Sequence, residues 1–148
     1  MACDHADTVA AIISVAGAMF KHPGACKPSH PVSVLEVHGT ADDVIPYGGG
    51  RFQGSPVPGA EESASDWARF DGCARPPTAW PDLDVAADYP SQSTPLPGKE
   101  TRVSIDRNGC RAGTEVQLWT VVGGDHIPKF SKEFAPDLIK FLLAHPKS

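Results

Sequence analysis

The amino-acid sequence predicts an α/β fold with a mainly parallel sheet and flanking helices. Two nearly continuous apolar runs, residues 9–16 and 32–37, are typical of strands buried in a parallel sheet, and residues 115–122 form a mostly apolar, β-favouring strand. Residues 60–70 and the C-terminal tail have the features of helices and follow in the order strand, strand, helix, strand, helix. This order favours a single domain over residues 1–148.

The N-terminal half contains two predicted strands and one predicted helix. Residues 9–16 have the character of a strand buried on both faces, and residues 32–37 repeat it. The connection, residues 19–31, is rich in glycine, proline and histidine and has no period, which predicts an irregular crossover. Residues 60–70 begin with acidic and end with basic side chains, as the helix dipole favours. Trp67 is the predicted core anchor of this helix.

The C-terminal half contains a long loop, two strands and a helix. Residues 76–99 are rich in proline and poor in apolar pairs, which predicts a long exposed loop or an insertion. Residues 101–105 indicate a short strand, and residues 115–122 a second strand with β-favouring side chains. Apolar residues of the tail recur at helical spacing. They are Phe134, Leu138, Phe141 and Leu142.

Composition argues against two classes of partner. The chain of 148 residues has a formal net charge of −5, and its basic residues are scattered, so we expect no nucleic-acid binding. No apolar run approaches the roughly 20 residues that span a bilayer, so we expect no membrane partner. The N-terminus also lacks the basic and apolar regions of an export signal.

The cysteines indicate disulfides rather than a metal site. Cys3, Cys26, Cys73 and Cys110 are too widely spaced for the Cys-x-x-Cys pairs of zinc or redox sites. Two disulfides are the favoured interpretation and imply a secreted or periplasmic parent protein, with free thiols in a cytosolic protein as the alternative. Sequence order leaves three pairings open. A chain that begins partway through a longer gene product would reconcile disulfides with the missing export signal.

An acid and a histidine follow two of the predicted strands. Asp42 comes after residues 32–37 and His126 after residues 115–122, so both fall at the carboxyl edge of the predicted sheet. A histidine that acts as general base needs a carboxylate on its far nitrogen. We therefore predict Asp42 and His126 as catalytic residues, with Asp43 as the competing acid. Taken singly, each has an ordinary explanation as a turn or loop residue, so the prediction depends on the pair.

Two motifs contain this pair. The first is His38-Gly39-Thr40-Ala41-Asp42, continued by Val44-Ile45-Pro46-Tyr47, and the second is Gly123-Gly124-Asp125-His126. Other positions add to the pattern: Cys3, Asp7, residues 9–12 and 15–17, Trp67, Gly72, Cys73, Cys110, Gly113, Glu115 and Val116. With these residues, nearly the whole chain resembles secreted polyhydroxybutyrate depolymerases and related feruloyl esterases.

The resemblance implies a fold, a catalytic triad and a disulfide pairing. The fold would be the C-terminal part of an α/β-hydrolase fold, and Asp42 and His126 would belong to a Ser-Asp-His triad. The disulfides would join Cys73 to Cys110 and Cys3 to the remaining cysteine. The chain departs from the family at Asp125, which replaces a glycine beside the histidine, and it lacks the tryptophan that commonly follows. These departures leave the preferred ester open.

The sequence contains no Gly-x-Ser-x-Gly motif, the strained turn that presents a nucleophilic serine in such enzymes. In the resembled family this turn precedes the position of Cys3, which places the nucleophile upstream of Met1 and makes this chain a partial domain. Substitutes within the chain are weak: Ser14 lies in a predicted strand, Cys3 is better explained by a disulfide, and Ser29 and Ser131 lie in loops.

We therefore expect a carboxylic ester hydrolase of the serine type, secreted or periplasmic, to which this chain supplies the acid Asp42 and the base His126. Its substrate would be a polyester or a phenolic ester, and no cofactor or metal is expected. One alternative is a catalytically inactive remnant or binding module that forms a homodimer through an exposed sheet edge. Another is a short esterase with a nonstandard nucleophile or a site completed across a dimer.

Overall fold

The computed structural model of the chain describes residues 1–87, 96 and 98–147. It contains a five-stranded sheet, a separate two-stranded hairpin and a helix on each side of the sheet. The strands are β1 (Ala11–Val15), β2 (Ser33–Gly39), β3 (Gly50–Phe52), β4 (Ser55–Val57), β5 (Thr78–Leu83), β6 (Thr101–Asp106) and β7 (Val116–Val121), and the helices are α1 (Ala60–Phe70) and α2 (Phe134–Ala144). The strand order of the large sheet is β1-β2-β7-β6-β5, and β3 pairs with β4.

The sheet is mixed, so the predicted fold class is wrong. β2 is parallel to both β1 and β7, whereas β6 is antiparallel to both β7 and β5. With two α-helices of 11 residues each in the described ranges, the chain is a small β-rich domain and not a mainly parallel part of an α/β-hydrolase fold. Apolar runs do not reveal strand direction. A short connection joins β6 to β7, and short connections suit antiparallel neighbours because parallel crossovers need a dozen or more residues.

Three strands were not predicted: β3 and β4 of the hairpin, and β5, which lies within the proline-rich residues 76–99. β5 carries mostly exposed side chains and contains Pro81. Proline is tolerated there because β5 is an edge strand, and its pairing with β6 shifts register between Trp80 and Leu83. Residues 88–95 and 97 of the predicted loop lie outside the described residues.

Each face of the sheet packs against one helix. Successive side chains of a strand point to opposite faces, so Val34 of β2 joins the core beside α1, while Leu35 and Val37 join the core beside α2. The prediction of a helix at residues 60–70 is confirmed, and its anchor Trp67 is buried in the first of these cores. β1 differs from its prediction, because it is an outer strand with partly exposed side chains.

Two disulfides close loops in the chain. Cys3 is bonded to Cys26 and Cys73 to Cys110, so the pairing implied by the family resemblance is confirmed. Such bonds stabilise a protein mainly by restricting its unfolded state, and they are consistent with an extracellular location. Among the described helices, none has the length and apolar character needed to cross a membrane.

Candidate active site

The parallel pairing of β2 with β7 brings the ends of these two strands to the same edge of the sheet. The segment after β2 carries Asp42, and the segment after β7 carries His126. Although the antiparallel β5 and β6 change the fold class, they do not disturb this pair of neighbouring strands. The juxtaposition expected for Asp42 and His126 is therefore preserved.

Backbone hydrogen bonds join the two segments. The amide of Thr40 donates to the carbonyl of Val121 at 3.0 Å, and the amide of Ala41 donates to the carbonyl of Gly124 at 2.8 Å. In return, the amide of Gly123 donates to the hydroxyl of Thr40 at 2.8 Å. These contacts fix the two segments against each other, so the side chains that they carry have a defined separation.

Gly39 allows the two segments to approach this closely. A Cβ atom added at Gly39 would lie 2.2 Å from the carbonyl oxygen of Gly124 and 2.5 Å from that of Asp125. Both atoms belong to the backbone and cannot rotate away. The glycine before the acid is therefore required by the close approach of the histidine segment.

Asp42 closes a local turn with one carboxylate oxygen. Its Oδ1 accepts hydrogen bonds from the amides of Val44 and Ile45, both at 2.8 Å. This is a common arrangement in which an aspartate side chain replaces a backbone acceptor in a turn. The side chain is fully buried, so the two amides hold it in one orientation.

The second carboxylate oxygen of Asp42 contacts His126. The distance from Asp42 Oδ2 to His126 Nδ1 is 2.9 Å, while the His126 side chain remains 30% exposed. Its other nitrogen, Nε2, has no hydrogen-bond partner within the described part of the chain. An imidazole held at Nδ1 by a carboxylate, with Nε2 free, has the arrangement of a general base.

The surroundings keep Asp42 ionised. Burial alone would raise the pKa of Asp42, but the hydrogen bonds from His126 and from the amides of Ile45 and Val44 outweigh that effect, so its pKa is lowered. The carboxylate is therefore negatively charged at neutral pH and can stabilise a protonated His126.

A second histidine lies against the same carboxylate. His38 Nε2 is 3.1 Å from Asp42 Oδ2 and hydrogen bonds to the carbonyl of Ile45 at 2.8 Å. His38 Nδ1 is 3.1 Å from Glu36 Oε1, and both side chains are almost completely buried. Sequence reasoning noted His38 only within a motif and overlooked Glu36. The available signal was two ionisable residues, two positions apart, in or beside a strand predicted to be buried.

Residues considered as alternatives lie elsewhere. Asp43 is exposed, and Asp42 rather than Asp43 contacts His126. Ser14 lies opposite Glu36 in the sheet, the hydroxyl of Ser29 hydrogen bonds to His30, and that of Ser131 hydrogen bonds to the carbonyl of Asp84. Cys3 is in a disulfide. None of these candidate nucleophiles is hydrogen-bonded to His126, so the described residues present an acid and a histidine without a nucleophile.

The described residues contain no group of three or more His, Cys, Asp or Glu side chains placed to hold a metal ion. Asp125, the departure noted beside His126, has a buried Oδ1 without a hydrogen-bond partner among these residues.

Comparison with known proteins relates the chain to esterases. One similar protein is feruloyl esterase B from Piromyces equi, which is 32% identical over 84% of this chain and 21% of its own length. This chain thus spans about a fifth of the length of the relative. No protein-family model matches the chain.

Proposed function

We propose that this chain takes part in the hydrolysis of carboxylic esters, with His126 as general base and Asp42 as the acid that orients it. The observation that carries the proposal is the 2.9 Å contact between His126 Nδ1 and Asp42 Oδ2. The other oxygen of Asp42 is held by two amides, so the pair is positioned before any substrate binds. The similarity to feruloyl esterase B supports an ester as the substrate class.

In the proposed reaction, His126 Nε2 accepts the proton of a serine hydroxyl as its oxygen attacks the ester carbonyl. When the tetrahedral intermediate collapses, His126 returns that proton to the leaving alcohol, and an acyl-enzyme remains. A water molecule, activated by the same histidine, then releases the carboxylic acid and regenerates the serine. Asp42 stays ionised throughout and stabilises the imidazolium that forms in each half of the reaction.

The serine of this mechanism is proposed to come from a part of the enzyme other than the described residues. Ser14 lies in β1 opposite Glu36, and Ser29 and Ser131 each hydrogen bond to a group other than His126. The proposed enzyme is extracellular, in keeping with its two disulfides. Its substrates are proposed to be feruloyl or other phenolic esters, or polyesters.

The test compares ester turnover in three forms of the enzyme, each including the proposed serine-bearing part. Hydrolysis of p-nitrophenyl acetate and of a feruloyl ester is measured for the wild type, for His126→Ala and for His30→Ala. His30 is an exposed histidine outside the site and serves as the matched control. We expect His126→Ala to lower kcat by about 10⁶-fold, as loss of a triad histidine does, and His30→Ala to leave kcat unchanged.

Turnover that survives in His126→Ala would contradict the proposed base. Labelling with a fluorophosphonate, followed by peptide mapping, identifies the nucleophile. A label on Ser14, Ser29 or Ser131 would contradict the proposal that the serine lies outside the described residues. An enzyme that includes the proposed serine-bearing part, yet neither turns over esters nor accepts the label, would overturn the esterase proposal.

A second candidate function is a binding module that dimerises through β1. The observation that favours it is the position of β1, which pairs only with β2 and ends the sheet on that side in the described structure. Outer strands present backbone donors and acceptors to another chain. Sedimentation at several protein concentrations tests this candidate, and a monomer at all of them would exclude it.

A further inference from the structure

Behind the Asp42–His126 pair lies a row of polar side chains, in which Glu36 and His38 are buried and Ser14 is partly exposed. Ser14 of β1 lies in register with Glu36 of β2, Glu36 contacts His38, and His38 contacts Asp42. Glu36 and His38 are two positions apart on one strand, so they point to the same face of the sheet. The side chains of Glu36, His38 and Asp42 are at most 4% exposed. Buried ionisable groups are costly unless each is paired, so this row needs an explanation.

The environment of His38 determines where its ring hydrogens lie. Nδ1 faces Glu36 Oε1 at 3.1 Å, and Nε2 faces both the carbonyl of Ile45 at 2.8 Å and Asp42 Oδ2 at 3.1 Å. The edge-on ring of Tyr47 completes the surroundings at 5.8 Å between ring centres. These three oxygens are acceptors when both carboxylates are ionised, and no donor from the described residues bonds to either nitrogen. A ring surrounded in this way carries a hydrogen on each nitrogen.

We propose that His38 is a positioning residue: a doubly protonated ring, held by Glu36, that fixes the Asp42 turn and places a positive charge beside the oxygen that accepts His126. This inference rests on the proposed function, in which Asp42 orients His126 as the general base. Glu36 is the counter-charge of His38, and the hydroxyl of Ser14 stabilises the ionised form of Glu36.

Ile45 connects His38 to the orientation of Asp42. The amide of Ile45 donates to Asp42 Oδ1 at 2.8 Å, while its carbonyl accepts from His38 Nε2 at 2.8 Å. Removing His38 would release this carbonyl and leave the turn held from one side only. Because the turn sets the direction of Asp42 Oδ2, the effect would reach His126 without any direct contact between the two histidines.

The charge of His38 also affects whether the proton between His126 and Asp42 stays on the imidazole or moves to the carboxylate. Burial alone would lower the pKa of His38, but the hydrogen bonds with Glu36 and Ile45 and the charges of Glu36 and Asp42 raise it. Burial raises the pKa of Glu36, opposed by its hydrogen bonds with His38 and Ser14. A cation at His38 disfavours proton transfer from His126 to Asp42. A proton taken by His126 therefore stays on the imidazole, from which it can be delivered to the leaving alcohol.

The first experiment locates the hydrogens on His38 by ¹⁵N NMR of the labelled full chain. We expect both ring nitrogens of His38 to be protonated at pH 8, where an unperturbed histidine of pKa about 6.5 is neutral. In Glu36→Gln, the amide can donate to Nδ1 of a neutral ring, so we expect His38 to carry a hydrogen on Nε2 alone. A neutral His38 in the wild type, or an unchanged doubly protonated ring in Glu36→Gln, would overturn the inference.

The second experiment uses ¹H NMR to detect the Asp42–His126 hydrogen bond, which shifts the resonance of His126 Nδ1–H downfield. We expect this resonance to be lost in His38→Leu and kept in His38→Gln, whose amide reproduces the donor at Nε2. Val34→Ala is the matched control, since it removes buried volume from the same strand without touching Asp42, and it should keep the resonance. A resonance that persists in folded His38→Leu would contradict the inference. If that variant does not fold, loss of the resonance in His38→Gln would contradict it instead.

These spectra separate the inference from the proposed function, because neither requires ester turnover. If the spectra are as expected but the enzyme shows no turnover with its serine-bearing part present, the proposed function is overturned and the positioning role is supported. Ester turnover lost in His126→Ala, together with a neutral His38, would support the proposed function and overturn the inference. Should turnover be present, misplacement of Asp42 in His38→Leu should lower kcat by about 10²-fold with little change in KM.

Discussion

Two carboxylates, Asp42 and Glu100, hold backbone amides in the same way but have different surroundings. Asp42 Oδ1 accepts the amides of Val44 and Ile45 at 2.8 Å, and Glu100 Oε1 accepts the amides of Val85 and Ala86 at 3.0 Å. The remaining oxygen of Asp42 faces two histidines. The remaining oxygen of Glu100 is buried without a hydrogen-bond partner among the described residues.

The comparison shows that holding a turn does not by itself make a carboxylate part of a site. The Glu100 side chain accepts hydrogen bonds from the amides of Val85 and Ala86 and from the hydroxyl of the neighbouring Thr101. Asp42 lies where the parallel strands β2 and β7 end together, so a histidine from a distant segment can reach it. The two carboxylates therefore differ in what surrounds their second oxygen, and three predictions test whether that difference makes Asp42 part of the site.

The largest expected effect is on ester turnover. In Asp42→Asn, the amide group cannot stabilise the imidazolium of His126 and favours the wrong tautomer, so kcat should fall by about 10⁴-fold. The matched change Glu100→Gln should leave kcat unaltered, because Glu100 contacts no residue of the candidate site in the described structure. Steady-state kinetics on a feruloyl ester measures both. Equal losses in the two variants would remove the proposed distinction between the carboxylates.

The next effect is on stability. Glu100→Ala leaves the amides of Val85 and Ala86 without their acceptor, which should lower the free energy of unfolding by about 2 kcal/mol. Urea denaturation measures this loss, with exposed Lys99→Ala as the neighbouring control. Kinetics of Glu100→Ala at a temperature where it is folded should match the wild type. An unchanged free energy of unfolding would show that the hydrogen bonds from Val85 and Ala86 to Glu100 do not stabilise the fold.

The smallest effect is the pH dependence that Asp42 contributes. Because hydrogen bonds from His126 and two amides lower its pKa in the folded state, ionised Asp42 stabilises the fold above its unfolded pKa, about 3.9. This contribution is lost as the pH falls through the lowered value. The difference in unfolding free energy between wild type and Asp42→Asn should therefore shrink from pH 7 to pH 2. In a His126→Ala background the same difference should vary less, and equal pH dependence would contradict this account.

Several local features were predictable because short-range pattern encodes them. The helix at residues 60–70 was correctly placed by its terminal charges and by its buried Trp67. Asp42 and His126 were selected because each follows an apolar strand, and the structure brings them into contact, while their catalytic role remains a prediction. Glu36 and His38 were overlooked because they lie in or beside a mostly apolar segment, which was interpreted only as a buried strand. β5 was overlooked because its proline is acceptable only at an edge.

By itself, the sequence determined where most strands and helices lie, the presence of cysteines for two disulfides, and the order in which acid and histidine occur along the chain. The sequence indicates which segments are buried, because the spacing of apolar residues is a property of residues close together in the chain. Only the tertiary structure decided that β5 and β6 are antiparallel, that Glu100 faces no histidine, and that His38 and His126 meet at one oxygen of Asp42. Strand direction and these contacts depend on segments far apart in the chain, whose pairing no local pattern specifies.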